Sequence, residues 1–213
     1  MKNEHSQIQN KQSVYGQFKL AAIETVKKNG LYCVAAAFWL SGIAVLTFNN
    51  QFNVTGGNLF DNVSGWIDLA AIALTPIGNP VYSLTALMAV TAAGLQQFPY
   101  IAKGDMGIMA NYFVYTLGTI PAIAEKWLEP RAKSYLAKRK PFGIKSVGSH
   151  ICANGRITAS VVQSLCHLPT ICAAYASHDH ALMTALGLFI AGNAADGCTK
   201  IFQYRRRMKD LSL

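Results

Sequence analysis

The sequence predicts an all-α polytopic integral membrane protein with six transmembrane segments in three helical hairpins. Hydrophobic residues make up 52% of the 213 residues, whereas charged residues make up 14%, about half of the ~25% typical of soluble domains. The apolar residues are gathered into charge-poor runs, several of which approach the ~20 residues needed to cross ~30 Å of hydrocarbon. The basic residues are clustered between those runs. A soluble domain of this size needs a larger polar surface, and a disordered chain needs fewer apolar residues.

The first 30 residues are polar and contain five Lys. Apolar residues at helical spacing between 14 and 28 predict a short amphipathic helix at the membrane surface. The first charge-free run is 31–48, and no small-residue cleavage site follows it, so we expect it to be retained. Residues 49–65 form a polar loop with glycosylation sequons at Asn53 and Asn62, which matter only in a eukaryotic source.

Residues 66–98 are apolar apart from Asp68 and are interrupted by Pro76 and Pro80. A single helix over this stretch would hold two interior prolines, each costing about 3 kcal/mol. We therefore predict two segments joined by a tight turn at 77–80. The first of them is short, so it is either a tilted span or a re-entrant helix.

A clear fourth span follows, and then a basic stretch that Pro130 and Pro141 are expected to keep from being helical. Two further spans and a basic tail complete the chain. The predicted parts are a cytoplasmic arm at 1–30, segments one to four at 31–125, a basic cytoplasmic loop at 126–155, segments five and six at 156–200, and a basic cytoplasmic tail at 201–213.

The distribution of basic residues predicts the orientation. Five Lys precede the first span, eight Lys and Arg lie within 126–156, five follow the last span, and Lys103 is the remaining one of 19. Six passes place all three clusters on the cytoplasmic side, as the positive-inside rule requires, whereas five passes would translocate at least one cluster. We therefore expect both termini to be cytoplasmic. The net charge of +9 then reflects topology and contact with anionic lipid headgroups, not nucleic-acid binding.

Polar side chains inside the spans are candidate functional groups, because in lipid they must pair or line a cavity. In segment five they recur at i, i+3, i+4 and i+7 and form one stripe that ends near the bilayer midplane. The predicted cavity-lining residues are Ser160, Gln163, Ser164 and His167 of segment five, with Asn111 and Tyr115 of segment four. His167 is either a functional group (a proton relay, a ligand contact, or a metal or haem ligand) or a neutral histidine that a neighbouring helix satisfies.

Three further polar residues, Asp68, Asn193 and Asp196, are candidates for an ion or proton pathway. For Asp196 we slightly favour a structural pair with Lys200 at i+4. Prolines near the segment ends are candidate hinges for alternating access. These prolines are Pro76, Pro99, Pro121 and Pro169.

Catalytic and cofactor motifs are weak or missing in the sequence. The five cysteines form no CxxC pair and are expected to be reduced. His178, Asp179 and His180 are interpreted as a polar turn, since adjacent residues rarely complete a metal site. We therefore predict no metal and no cofactor. An enzyme is less favoured, because no spacing joins the charged residues near the inner face, namely Glu125, Arg156 and Asp196.

Two functional hypotheses remain. The first is a small transporter or channel that passes a small solute or ion through a midplane polar cavity. The alternative is a non-enzymatic accessory or assembly subunit of a larger membrane complex, or a homo-oligomer. Small-residue ladders such as Thr85, Ala89 and Ala93 predict close helix packing and suit that alternative. A cavity reaching His167 favours transport, whereas a solid bundle favours the subunit. The expected location is a bacterial inner or plasma membrane, or an organelle membrane.

Overall fold

The computed structural model describes residue 16 and residues 29–52, 59–138 and 143–210, with side chains as far as Ile201. Within those ranges all regular structure is helical, as the sequence predicts. Four helices are long and apolar enough to cross a membrane, in agreement with an integral membrane protein. They are α1 (Asn29–Phe48), α4 (Met106–Ile123), α7 (Gly155–Ala176) and the His180–Ile201 part of α8 (His180–Asp210). Apart from Gly16, the predicted amphipathic helix at 14–28 lies outside the described residues, and so does Asn53.

Two more helices, α2 (Leu59–Leu74) and α3 (Tyr82–Ile101), lie between α1 and α4. The predicted break between them is present as two 3-10 turns, Thr75–Ile77 and Asn79–Val81. They flank Gly78, whose φ of 79° favours glycine.

The start of α2 corrects the predicted loop at 49–65. The helix is described from Leu59, and Phe60 in its first turn packs on α3. Phe60 and Phe98 face each other with ring centroids 5.2 Å apart. Asn62 therefore lies in a helix and not in a loop.

The basic connection after α4 is also helical, so the prediction that prolines disrupt it is wrong for its first part. It forms α5 (Glu125–Lys138), which contains Pro130, and α6 (Ile144–Ala153). Ion pairs from one side of α5 to α7 and α8 hold the helix in spite of the proline. Pro141 lies outside the described residues.

Helix packing follows the chain: α2 contacts α3, α3 contacts α4, α4 contacts α7, and α7 contacts α8. Helix α1 closes the group by touching α8 and the turn before α3. The indole nitrogen of Trp39 donates to the carbonyl of Phe189 at 3.3 Å, and the Tyr32 hydroxyl donates to Asn79 Oδ1 at 2.8 Å.

These contacts define two ends of the bundle. The Arg156 end holds the start of α1, the turn at 75–81, the α4–α5 junction, the start of α7, and residues 196–200 of α8. The Asp179 end holds 49–52, the α3–α4 connection at 102–105, and the α7–α8 turn. Gln51 Nε2 donates to Asp179 Oδ2 across the Asp179 end at 2.6 Å.

The outer surface of the bundle is apolar. Large side chains with half or more of their surface exposed recur along α4 and α7, including Phe113, Leu117 and Leu165. Glycines allow close approach between helices, since a Cβ at Gly118 would collide with Val162 and one at Gly192 with Trp39. An apolar exterior and small residues at helix contacts are typical of membrane bundles.

Candidate functional site

A cavity of about 690 Å³ lies inside the bundle, and α1, α2, α3, α4, α7 and α8 all contribute to its wall. One face of α3 lines it from Tyr82 to Tyr100. At 1.5 Å per residue this face is roughly 27 Å long, close to the thickness of the hydrocarbon core. The cavity therefore follows the long axis of the bundle.

Small residues of α3 give the cavity its width. Thr85, Ala89 and Ala93, the predicted small-residue ladder, lie on the lining face. Leu84 and Leu87, on another face of α3, are each 48% exposed. The exposed apolar surface and the cavity wall are thus formed by different faces of α3.

Four of the six predicted cavity residues lie together in the wall: Asn111, Tyr115, Gln163 and His167. Two of them also tie α4 to α7. Asn111 Nδ2 donates to the Cys166 carbonyl at 3.4 Å, and Gln163 Nε2 donates to Thr119 Oγ1 at 3.3 Å. The His167 ring lies 6.0 Å from the ring of Phe189.

The other two predicted cavity residues, Ser160 and Ser164, lie against α8. Ser164 Oγ donates to the Ser160 carbonyl at 2.7 Å and accepts a hydrogen bond from Asn193 Nδ2 at 3.5 Å. Ser160 is buried beside Gly197. The polar stripe is therefore divided, because α8 packs on the side where the two serines lie.

Asp68 of α2 and Asn193 of α8, two of the pathway candidates, both line the cavity. Gln96 Nε2 donates to Asp68 Oδ2 at 3.1 Å, and Trp39 Nε1 donates to Asn193 Oδ1 at 3.2 Å. Each polar group is held by a neighbouring helix, so its position in the wall is defined.

The third pathway candidate, Asp196, also lines the cavity, but its expected pair with Lys200 is wrong. The Tyr82 hydroxyl donates to Asp196 Oδ2 at 2.8 Å. Lys200 instead forms ion pairs with Glu125 and with Glu129, the latter at 2.7 Å. Two carboxylates of α5 attract the ammonium group more strongly than one carboxylate of its own helix.

Arg156 lies at the centre of this cluster and is 2% exposed. Its Nε and Nη2 donate to Glu125 Oε2 at 3.0 and 2.8 Å. Its guanidinium carbon lies 3.8 Å from the centroid of the Tyr82 ring, in cation–π geometry. One network thus joins α3, α5, α7 and α8 at the Arg156 end.

The two glutamates of the network have opposite pKa shifts. Burial raises the pKa of Glu125, although Lys200 opposes that effect. Burial also acts to raise the pKa of Glu129, but hydrogen bonds from Lys133 and Lys200 outweigh it and lower the pKa to about 2. Glu129 is therefore a firmly ionised anchor for Lys200.

The predicted hinge prolines lie near helix ends or within a span. Pro76 is in the turn after α2, Pro99 is in the last turn of α3, Pro121 is buried near the end of α4, and Pro169 is inside α7. Their role as hinges remains a prediction.

The polar turn at 178–180 fixes the start of α8. Asp179 Oδ1 accepts the backbone N–H of Leu182 at 2.9 Å, as an N-cap does. Across the described ranges no three His, Cys, Asp or Glu side chains are grouped to hold a metal ion.

Sequence reasoning missed the role of Tyr82 and Trp39. Both lie in apolar runs, and both line the cavity with an aromatic ring. Each also carries one polar atom, and buried Tyr and Trp usually find a partner for it. That rule signals a contact but does not identify the partner.

Comparison of the sequence with protein-family models gives no match, and comparisons with curated proteins and with solved structures give none either. Function must therefore be argued from the chain's own residues.

Proposed function

We propose that this chain is a six-span membrane protein that moves a small solute or ion through its central cavity. The observation that carries the proposal is the length and polarity of the cavity. It follows α3 from Tyr82 to Tyr100 and contains His167 near the middle of α7. Polar groups at this depth are expensive unless they serve a cavity or pathway.

Six passes account for the helices better than four. Besides the four apolar spans, α3 has 20 residues and α2 has 16. Both line the cavity, and a tilt or a locally thin bilayer accommodates the shorter helix. With six passes the span ends that border the three basic clusters in the sequence lie at the Arg156 end, which we therefore assign to the cytoplasm by the positive-inside rule.

The two ends of the cavity suggest one state of an alternating-access cycle. Lining residues Asn50, Gln51 and Tyr100, at the Asp179 end, are exposed, whereas Tyr82 and Asp196, at the Arg156 end, are buried. In this proposal the cavity is entered from the non-cytoplasmic side. The Arg156 network closes the other side and must open for release.

Sided labelling in proteoliposomes tests the cavity and its orientation. The background is a variant with all five cysteines replaced by Ala, and single cysteines are then introduced by Ala89→Cys in the lining face and Leu87→Cys on the apolar face. A membrane-impermeant thiol reagent added on the non-cytoplasmic side is expected to label A89C and to spare L87C. Equal labelling of the two variants would contradict an aqueous cavity.

Solute flux tests transport itself. Proteoliposomes are exposed to small neutral, cationic and anionic solutes, and their volume is followed by light scattering. We expect uptake of at least one solute class, with block by the thiol reagent in A89C but not in L87C. Absence of uptake, together with another protein copurifying in fixed ratio without crosslinking, would replace the transporter with the accessory-subunit alternative.

A further inference from the structure

The lining of the cavity points to a class of solute. Resting on the proposed function, we infer that the cavity binds an organic ammonium ion, that is, a protonated amine attached to an apolar or aromatic body. Three independent features support this inference: the charge of the lining, the unpaired oxygen atoms in it, and its aromatic rings.

The charge of the lining is opposite to that of the chain. Among the described residues that line the cavity, Asp61, Asp68 and Asp196 are acidic and none is Lys or Arg. The whole chain nevertheless carries a net charge of +9. A cleft with one sign of charge and low-dielectric walls concentrates ions of the opposite sign. The cavity therefore favours cations.

Asp196 offers an oxygen atom without a partner. The residue is 5% exposed, and while its Oδ2 accepts from Tyr82, its Oδ1 is buried without a hydrogen-bond partner. Lys200 pairs with both glutamates of α5, and Arg156 donates to Glu125 through Nε and Nη2, while its Nη1 is, like Asp196 Oδ1, buried without a hydrogen-bond partner. A buried carboxylate oxygen without a donor is costly. A ligand N–H supplies the missing donor.

A second unpaired atom in the lining is of the same kind. Gln97 Oε1 is buried without a partner and lies toward the Asp179 end of the cavity. Both atoms are hydrogen-bond acceptors, so they match a cation that donates N–H bonds better than a quaternary ammonium ion. The absence of a three-ligand group among the described residues disfavours a metal ion, which prefers several protein ligands.

Aromatic rings suit the rest of such a ligand. Trp39, Tyr115 and Phe189 all border the cavity, and ring faces attract ammonium groups and bury apolar bodies. A volume of about 690 Å³ lies within the range of sites for small organic ligands and exceeds what an inorganic ion needs.

Three probes of one shape test the charge preference. Benzylammonium, benzyl alcohol and benzoate share a ring and differ in charge, and their binding to the purified full chain in detergent is measured by calorimetry at equal ionic strength. We expect benzylammonium to bind at least about tenfold more tightly than either of the others, because losing a buried charge partner typically costs that much or more.

Two variants locate the site. Asp196→Asn keeps an acceptor for Tyr82 but removes the charge, and it is expected to reduce the preference for benzylammonium by about tenfold or more. Asp68→Asn provides a second test if the first variant does not fold. Asp105→Asn is the matched control, since Asp105 caps α4 outside the lining and its replacement leaves the preference unchanged.

The outcomes separate this inference from the proposed function. If benzyl alcohol or benzoate binds as tightly as benzylammonium while solute flux persists, the ammonium inference is wrong and transport stands. If the preference survives both D196N and D68N, the assigned site is wrong. If no probe binds and no solute crosses the proteoliposome membrane, the inference and the proposed function fail together.

Discussion

The two ends of the bundle are fastened in different ways. At the Arg156 end, charged and aromatic side chains of α3, α5, α7 and α8 form one buried network around Arg156 and Glu125. At the Asp179 end, the exposed hydrogen bond from Gln51 to Asp179 joins the stretch after α1 to the α7–α8 turn. The contrast is what the proposed closure of the cavity at the Arg156 end requires. It also predicts that side chains at the Arg156 end contribute far more to stability.

Glu125→Gln is expected to have the largest effect on stability. It leaves buried Arg156 without its carboxylate and removes one partner of Lys200, and breaking a buried ion pair costs about 3–5 kcal/mol. The measurement is unfolding by denaturing detergent in mixed micelles. Lys133→Met is the matched control, because Lys133 pairs with Glu129 through a side chain that is 60% exposed and should cost less than about 0.5 kcal/mol. Equal losses in the two variants would contradict a buried, stabilising network.

That network marks the limit of what the sequence could predict. Apolar runs and paired prolines are local signals, so the positions of α4 and α7 and the turn between α2 and α3 could be predicted to within a few residues. Contacts between residues distant in sequence could not. The bond from Tyr82 to Asp196 joins residues 114 positions apart, and nothing in the apolar run around Tyr82 identifies its partner.

The lining of the cavity also could not be predicted fully from the sequence. Helical periodicity grouped Gln163 with His167 correctly, because both lie on one face of α7. It also grouped Ser160 and Ser164 with them, since periodicity describes one helix and not its neighbours. The approach of α8 decides which part of a polar stripe faces the cavity.

Gly155→Ala is expected to have the next largest effect. A Cβ at position 155 would lie 2.5 Å from the carbonyl oxygen of Pro121, and that oxygen belongs to backbone that cannot move aside easily. Overpacking of this kind costs about 1–3 kcal/mol. Gly187→Ala is the control: it meets open space in α8 and should stabilise the helix by up to about 1 kcal/mol. Thermal unfolding midpoints in mild detergent measure both effects, and a neutral G155A would contradict close α4–α7 contact at the Arg156 end.

Acid should weaken the Arg156 end through Glu129. Its folded-state pKa of about 2 is below the ordinary 4.5, so its contribution is complete above about pH 4.5 and is lost as the pH falls toward 2. The effect is moderate because the side chain is partly exposed and its charge is screened. Glu125, whose pKa is raised by burial, has the opposite effect on stability: its contribution to the free energy of unfolding rises as the pH falls. We therefore compare the wild type with Glu129→Gln.

Between about pH 6 and pH 3, the thermal midpoint of the wild type is expected to fall more steeply than that of E129Q. The difference between the two curves reports Glu129 together with its effect on the pKa of Glu125, and it removes the contribution of the carboxylates outside this pair. Parallel curves would show that Glu129 is not held ionised by Lys133 and Lys200.

The smallest effect is expected at the Asp179 end, from Gln51→Ala. This variant removes one exposed hydrogen bond to Asp179, and exposed contacts to a charged group typically contribute less than about 1 kcal/mol. Asp179→Ala calibrates the result, because it also removes the N-cap bond to Leu182 and should cost about 1 kcal/mol more. Unfolding by denaturing detergent, measured as for E125Q, places all three variants on one scale. If Q51A were as destabilising as E125Q, the two ends would be equally stable, and the proposed one-sided closure of the cavity would have no energetic basis.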